Sequence, residues 1–254
     1  MTSVSPLDAL RAAQRPFPAA AARPRMLVAG ATGPLGNEVL NRVVGGQKYA
    51  LVQVLARERY TEGLRGMQLL PQAGDAPQQW LQQSADVGLI MFEPPRPFYQ
   101  RERALWTPQP AQLLAVAQWM HACGVKTLAV VLPHDMGSLP QSIRQGLATV
   151  DEHDVAALGF ERLILVRSAK EPARRSMGNL LQRTAGMLLS GLSYMVPQSD
   201  RPVRAMHVAQ LVEAALLQAP AGIHVASPER VWRAAQKGGL HAELQDWLKN
   251  RHEP

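Results

Sequence analysis

Short apolar runs alternate along this chain with longer stretches whose apolar positions recur at helical spacing. Met26-Leu27-Val28-Ala29, Ala50 to Ala56, Met67-Gln68-Leu69-Leu70, Asp86 to Phe92, Val125 to Leu132 and Phe160 to Val166 have strand length and strand composition. Between them, Asn37 to Val44 and Pro108 to Cys123 each carry one apolar face. Pro77 to Ser84 suits a short helix, Pro140 to Leu158 is helical in its later half, and residues 98–107 suit a polar, arginine-containing loop. Strands that alternate with helices in this rhythm predict an α/β fold, a doubly wound parallel sheet. The remaining chain predicts a small helical cap over about 174–254. Its elements are helices at Leu180 to Leu192, Val203 to Gln218 and Leu240 to Asn250, a loop or short strand at Tyr194 to Pro202, and a last short strand at Ile223-His224-Val225.

The first strand runs into Gly30-Ala31-Thr32-Gly33-Pro34-Leu35-Gly36, and a helix follows directly. Strand, glycine-rich turn and helix place a dinucleotide pyrophosphate on a helix N-terminus, where N–H groups lack partners and the helix dipole favours negative charge. Gly30 would permit the tight turn, Gly33 the approach of backbone to phosphate, and Gly36 the close packing of helix on strand. Pro34 fits the first helical turn because it gives up an N–H that has no helical partner. Thr32 and Leu35 complete the candidate cradle.

The second strand refines the ligand. NAD-selective folds place an acidic residue near its end, on the ribose 2′-hydroxyl. Here Ala56 stands at that place and Arg57 follows, a cation suited to a 2′-phosphate. NADP is therefore the expected cofactor; Glu58 keeps NAD open, and a solvated loop arginine is the other reading of Arg57. Asp75 stands where related folds contact adenine, and Phe92, at the end of the fourth strand, is a further candidate cofactor contact. Glu93-Pro94-Pro95-Arg96-Pro97 then takes the chain out of the sheet, because prolines cannot continue a central strand.

Composition narrows the classes. The chain has 254 residues, 46% of them hydrophobic, which suffices for one large core. Residues 1–24 are expected to be an extension, with a short helix from Pro6 to Gln14 and no secretory signature, and 25–254 one domain. No apolar run reaches the length of a membrane span. A single cysteine, Cys123, forms no internal disulfide and points to a reducing cytoplasm; late in a buried helix it suits a core role. The net charge of +7 raises nucleic acid as a partner, but the basic residues are scattered and no aromatic platform interleaves them. The densest basic stretch, Arg162 to Arg183 with Arg167, Lys170, Arg174 and Arg175, suits a solvated face or a phosphate contact. No metal or hydrolase motif occurs.

The ordered motifs resemble the atypical short-chain dehydrogenase/reductases, specifically their Tat-interacting-protein-like oxidoreductase branch. The matching stretches are Leu27 to Gly33 with Gly36, Val54-Leu55-Ala56-Arg57, Ala122-Cys123-Gly124-Val125-Lys126, Leu158-Gly159-Phe160 and Val203-Arg204-Ala205-Met206, across roughly residues 25–220. The resemblance implies an NADP-binding sheet and a Ser, Tyr and Lys catalytic set, in which Tyr exchanges a proton beside hydride transfer, Lys lowers the Tyr pKa and Ser orients the substrate oxygen.

This chain departs from that set. Leu132-Pro133-His134-Asp135 stands at the Ser place, and the Tyr and Lys places fall at Arg144 and Ala148, or at Ser142 and Gly146 with a two-residue slip. Tyr99 and His134 are the remaining candidate proton donors, Lys170 could touch a bound anion, and His207 suits a half-buried structural place. Two expectations follow: an NADP-binding protein that is catalytically silent or repurposed, or a reductase or isomerase of unusual mechanism acting on a small carbonyl substrate. A pure interaction module with an empty nucleotide site is a third.

Overall fold

In a computed structural model of the chain, which describes residues 23–58, 66–72, 74–133, 150–168 and 203–249, seven parallel strands form one sheet. They are β1 (Arg25–Ala29), β2 (Leu51–Ala56), β3 (Met67–Pro71), β4 (Val87–Met91), β5 (Thr127–Pro133), β6 (Arg162–Ser168) and β7 (Gly222–Ala226), in the order β3-β2-β1-β4-β5-β6-β7. The strand order reverses between β1 and β4. The crevice at the carboxyl ends of these two strands is where doubly wound folds bind ligands.

Alternation along the strands divides the core into two layers. Met26 and Val28 face one side of the sheet with Val52, Val54, Leu89 and Met91. Over them lie α1 (Gly33–Gly45) and the C-terminal helices α5 (Ala205–Gln218), α6 (Pro228–Ala234) and α7 (Gly239–Lys249). Leu27 and Ala29 face the other side, under α3 (Leu113–Ala122) and α4 (Val150–Ala157). Because both faces are covered, strands such as Val87-Gly88-Leu89-Ile90-Met91 are buried along their whole length, which is why they appear in sequence as continuous apolar runs.

The C-terminal helices form the expected cap on one face. Two features of this region differ from expectation. Strand β7 joins the main sheet, in register with β6 from Arg162↔Gly222 to Val166↔Ala226. Helix α6 lacks an apolar run long enough to announce itself; Pro228 opens it, and the Ser227 hydroxyl accepts the Arg230 N–H. Pro77 starts only a 3₁₀ turn, Pro77–Gln79, rather than a helix to Ser84. Most of the N-terminal extension and the elements expected at Pro6 to Gln14, Leu180 to Leu192 and Tyr194 to Pro202 lie outside the described residues. No helix among those described is long and apolar enough to cross a membrane.

Candidate functional site: the glycine turn and the segment that covers it

The turn after β1 is built on two glycines with positive φ, Gly30 at 77° and Gly33 at 70°. At Gly30 a side chain is excluded by its neighbour as well as by its backbone, since a Cβ would lie 1.9 Å from the Met91 carbonyl oxygen at the end of β4. Gly36 is similarly close to the preceding turn, with a Cβ falling 2.4 Å from the Ala31 carbonyl carbon. Helix α1 begins at Gly33, with Pro34 in its first turn and no acidic residue of its own there.

A count of N–H groups in that first turn defines the electrostatics. Pro34 has none, and the Gly36 N–H reaches the Thr32 carbonyl at 3.1 Å. Gly33 and Leu35 are left with the N–H groups that a helix start cannot satisfy internally. Both are given to carboxylates from beyond β4: Gly33 N–H to Glu102 Oε2 at 3.1 Å, and Leu35 N–H to Glu93 Oε2 at 2.6 Å. The space beside Gly33 is filled by Glu93, whose side-chain atoms come within 2.4–2.5 Å of where a Cβ would stand. Thr32, fully buried, donates its hydroxyl to the Glu93 carbonyl, and the Thr107 hydroxyl lies 2.9 Å from it.

Glu102 is 5% exposed and strongly held. It accepts the Arg96 N–H at 2.8 Å and Arg96 Nε at 2.7 Å, besides the Gly33 N–H. Burial, the largest single influence, favours its neutral form. The Arg96 hydrogen bonds, the Gly33 N–H and the Arg96 charge outweigh it together and hold the carboxyl below the usual range. The same hydrogen bond from Arg96 to Glu102 raises the guanidinium pKa against the opposing effect of burial. The Arg96 guanidinium also stacks over the Tyr99 ring, 3.7 Å from its centroid.

Glu102 and Tyr99 belong to the segment 98–107, expected as a polar loop. It contains a short helix instead, α2 (Gln100–Ala104), and then a buried Leu105-Trp106 pair that pairs antiparallel with the end of β2 through Ala56↔Leu105. The Trp106 N–H bonds to the Leu55 carbonyl at 2.9 Å, the Arg57 N–H to the Ala104 carbonyl at 2.8 Å, and the Gly30 N–H to the Trp106 carbonyl at 3.1 Å. The segment thus lies across the carboxyl ends of β1 and β2. Trp106 packs edge-on against Trp80, at 4.7 Å between ring centroids, and donates its Nε1–H to Asp75 Oδ1 at 2.9 Å.

Several other predicted residues lie among those described. Arg57 and Asp75 are brought together at 3.6 Å, both largely exposed, so the guanidinium expected on a 2′-phosphate faces a carboxylate of its own chain. Phe92, just past β4, is partly buried against the second core layer. Tyr99, 52% exposed, stands at the start of α2. Cys123 follows α3 directly and is buried; burial pushes its thiol pKa up, against the Gln83 N–H that its sulfur accepts. His207 is half-buried on α5. Arg167 is neither a solvated residue nor a free anion ligand: it is buried, with Nη2 2.6 Å from the equally buried Glu152 Oε2. His134, Asp135, Ser142, Arg144, Gly146, Ala148, Lys170, Arg174 and Arg175 lie outside the described residues.

Sequence reasoning missed Glu93, Glu102, Trp106 and Thr107. The available signals were an acidic residue at the exit from β4 and an apolar Leu105-Trp106 pair interrupting a polar stretch. Among the described residues, no group of three or more His, Cys, Asp or Glu side chains could hold a metal ion.

No protein-family model and no curated protein matches the chain. Solved structures do resemble it in fold. A Rossmann-fold NAD(P)-binding family protein from Shigella flexneri shares 16% identity over 77% of this chain and 87% of its own, with a TM-score of 0.44. The Bordetella bronchiseptica enzyme WbmH, solved with NAD+, shares 11% over 80% of this chain and 75% of its own, with a TM-score of 0.47. Uronate dehydrogenase from Agrobacterium tumefaciens shares 17% over the corresponding 80% and 75%, with a TM-score of 0.45. These are likenesses of fold alone.

Proposed function

We propose that the chain is an oxidoreductase-type protein that binds a nicotinamide dinucleotide, NADP in preference to NAD, at the carboxyl ends of β1, β2 and β4. One observation carries this reading: the two helix-start N–H groups of Gly33 and Leu35 converge on anionic oxygens at the β1/β4 switch point. The donor set fits phosphate, since carboxylate oxygens already take the place that phosphate oxygens would. Gly33 and Leu35 would hold the pyrophosphate, and Gly30 would allow the turn to pass beneath it. Arg57 would take the 2′-phosphate once turned from Asp75, Asp75 would stand beside the adenine, and Phe92 would be a further cofactor contact.

A bound nicotinamide supplies hydride to a small carbonyl carbon. Proton delivery then falls to this chain's own residues, and Arg144 and Ala148 at the places that the short-chain dehydrogenase resemblance assigns to Tyr and Lys do not provide it. Arginine stays protonated at ordinary pH and alanine has no proton to give. His134, just past β5, is the candidate donor for a reductase or isomerase, with Tyr99 as the other. The same substitutions favour a second reading, in which the dinucleotide is structural or sensed and the protein is catalytically silent.

Carbonyl reduction with NADPH on small aldehydes and ketones separates the two. Turnover of a few per second, falling as pH rises through about 6–7 and lost in His134→Ala, is the expected result for the reductase. Binding of NADPH without turnover selects the silent protein. Failure of NADPH and NADH to bind defeats both.

A further inference from the structure

The crevice to which the dinucleotide is assigned is filled by the chain itself. Glu102 and Glu93 accept the Gly33 and Leu35 N–H groups respectively, and Leu105-Trp106 pairs with the end of β2. The Trp106 carbonyl accepts the Gly30 N–H, and its indole N–H donates to the Asp75 carboxylate. A pyrophosphate and the segment from Glu93 to Thr107 therefore require the same donors and the same space. We propose that this segment is an internal competitor for the nucleotide, an autoinhibitory contact in which two carboxylates stand in for phosphate and which the dinucleotide must displace. The inference rests on the dinucleotide reading above and adds to it a closed state.

The exchange trades one set of hydrogen-bond acceptors for another. Glu102 is held jointly by the Gly33 N–H and by the side chain and backbone N–H of Arg96. Displacement frees the Arg96 guanidinium, on its long side chain, and the Gly33 N–H at once, and a pyrophosphate arriving at the turn can accept from both. Arg96 is accordingly assigned as a phosphate-binding residue of the open state, set aside by Glu102 in the closed one.

The test uses the full chain. NADPH, and separately inorganic pyrophosphate, is titrated calorimetrically into the parent protein, Glu93→Gln and Glu93→Ala. Hydrogen exchange is followed by mass spectrometry on peptides covering 28–36 and 93–107. A hydrogen bond to a charged group corresponds to roughly tenfold or more in affinity, so both variants are expected to bind NADPH and pyrophosphate at least about tenfold more tightly than the parent. Saturation with NADPH should slow exchange in 28–36 and speed it in 93–107. Arg96→Ala in the Glu93→Ala background should reverse the gain.

Tight binding to the parent with protection of 28–36, unchanged affinity in both Glu93 variants and unchanged exchange in 93–107 overturns the competitor and leaves the dinucleotide reading intact. Absence of NADPH binding to the parent and to both variants overturns both. Binding that appears only in the Glu93 variants supports both. NADPH protection elsewhere, with 28–36 unaffected, places the nucleotide in a different site and removes the basis of the proposal.

Discussion

Glu102 and Gly33, far apart in sequence, are joined by a 3.1 Å hydrogen bond from the Gly33 N–H to Glu102 Oε2. The bond ties α2 to the start of α1 across the mouth of the crevice. It also explains how a carboxylate that is almost wholly buried stays ionised: a backbone N–H from a helix start and an arginine replace the water it has lost.

That arrangement sets a pH dependence. The Glu102 pKa in the folded protein lies below the value of about 4.3 for an unperturbed glutamate. Its contribution to stability is therefore fully present above that unfolded value and is lost as pH falls through the folded one. Chemical denaturation between pH 7 and 2.5 should show Glu102→Gln less stable than the parent at neutral pH, with the gap closing toward the acid end. A gap independent of pH would mean that the Glu102 charge has no part in stability.

Gly33→Val introduces both a strained φ and a Cβ in the space that Glu93 holds. The strain costs about 1–3 kcal/mol, so the melting temperature should fall. NADPH affinity should fall more than tenfold, because the same side chain stands in the path of the phosphate. Calorimetric affinity within a factor of two of the parent would remove Gly33 from the nucleotide site.

Arg57 and Asp75 are exposed partners 3.6 Å apart, and such pairs contribute about 0–1 kcal/mol to stability. Their expected effect is on specificity. Arg57→Ala should weaken NADPH binding about ten- to a hundredfold, the worth of a charge-assisted contact to the 2′-phosphate, and leave NADH nearly unchanged. Asp75→Asn, by releasing Arg57, should lower the NADPH dissociation constant rather than raise it. Equal losses for the two cofactors in Arg57→Ala would assign that residue a different role.

Glu152 and Arg167 give the largest expected stability effect. Their side chains are only 4% and 9% exposed, and removing one member of such a buried pair is strongly destabilising, because the remaining charge stays out of water with fewer partners. Glu152→Ala should destabilise the protein by about 3–5 kcal/mol. The double replacement Glu152→Leu with Arg167→Met should recover part of that loss. Urea denaturation of the two variants measures both.

The sheet and the turn were largely legible in sequence because their determinants are local. An apolar run such as Leu51 to Ala56 carries its strand in its own side chains, and a positive φ at Gly30 needs only the absence of a Cβ. Helix α6 escaped notice because seven residues are too few for a helical period to emerge from its background. Strand β7 was visible as the triplet Ile223-His224-Val225, but its entry into the main sheet depends on pairing with β6, which no local pattern encodes.

The crevice is where sequence stopped and tertiary structure decided. Sequence alone set the strand, the glycines and the proline that leave two N–H groups of α1 without a helical partner. Which acceptors those groups find depends on where the chain leaving β4 travels, and that path is fixed by the burial of Trp106 against Trp80 and the pairing of Leu105 with β2. Glu93, Glu102 and Arg57 are ordinary surface residue types. Their partners became definite only when folding brought distant segments within hydrogen-bond reach, since a charge is read locally but its counter-charge is a property of space.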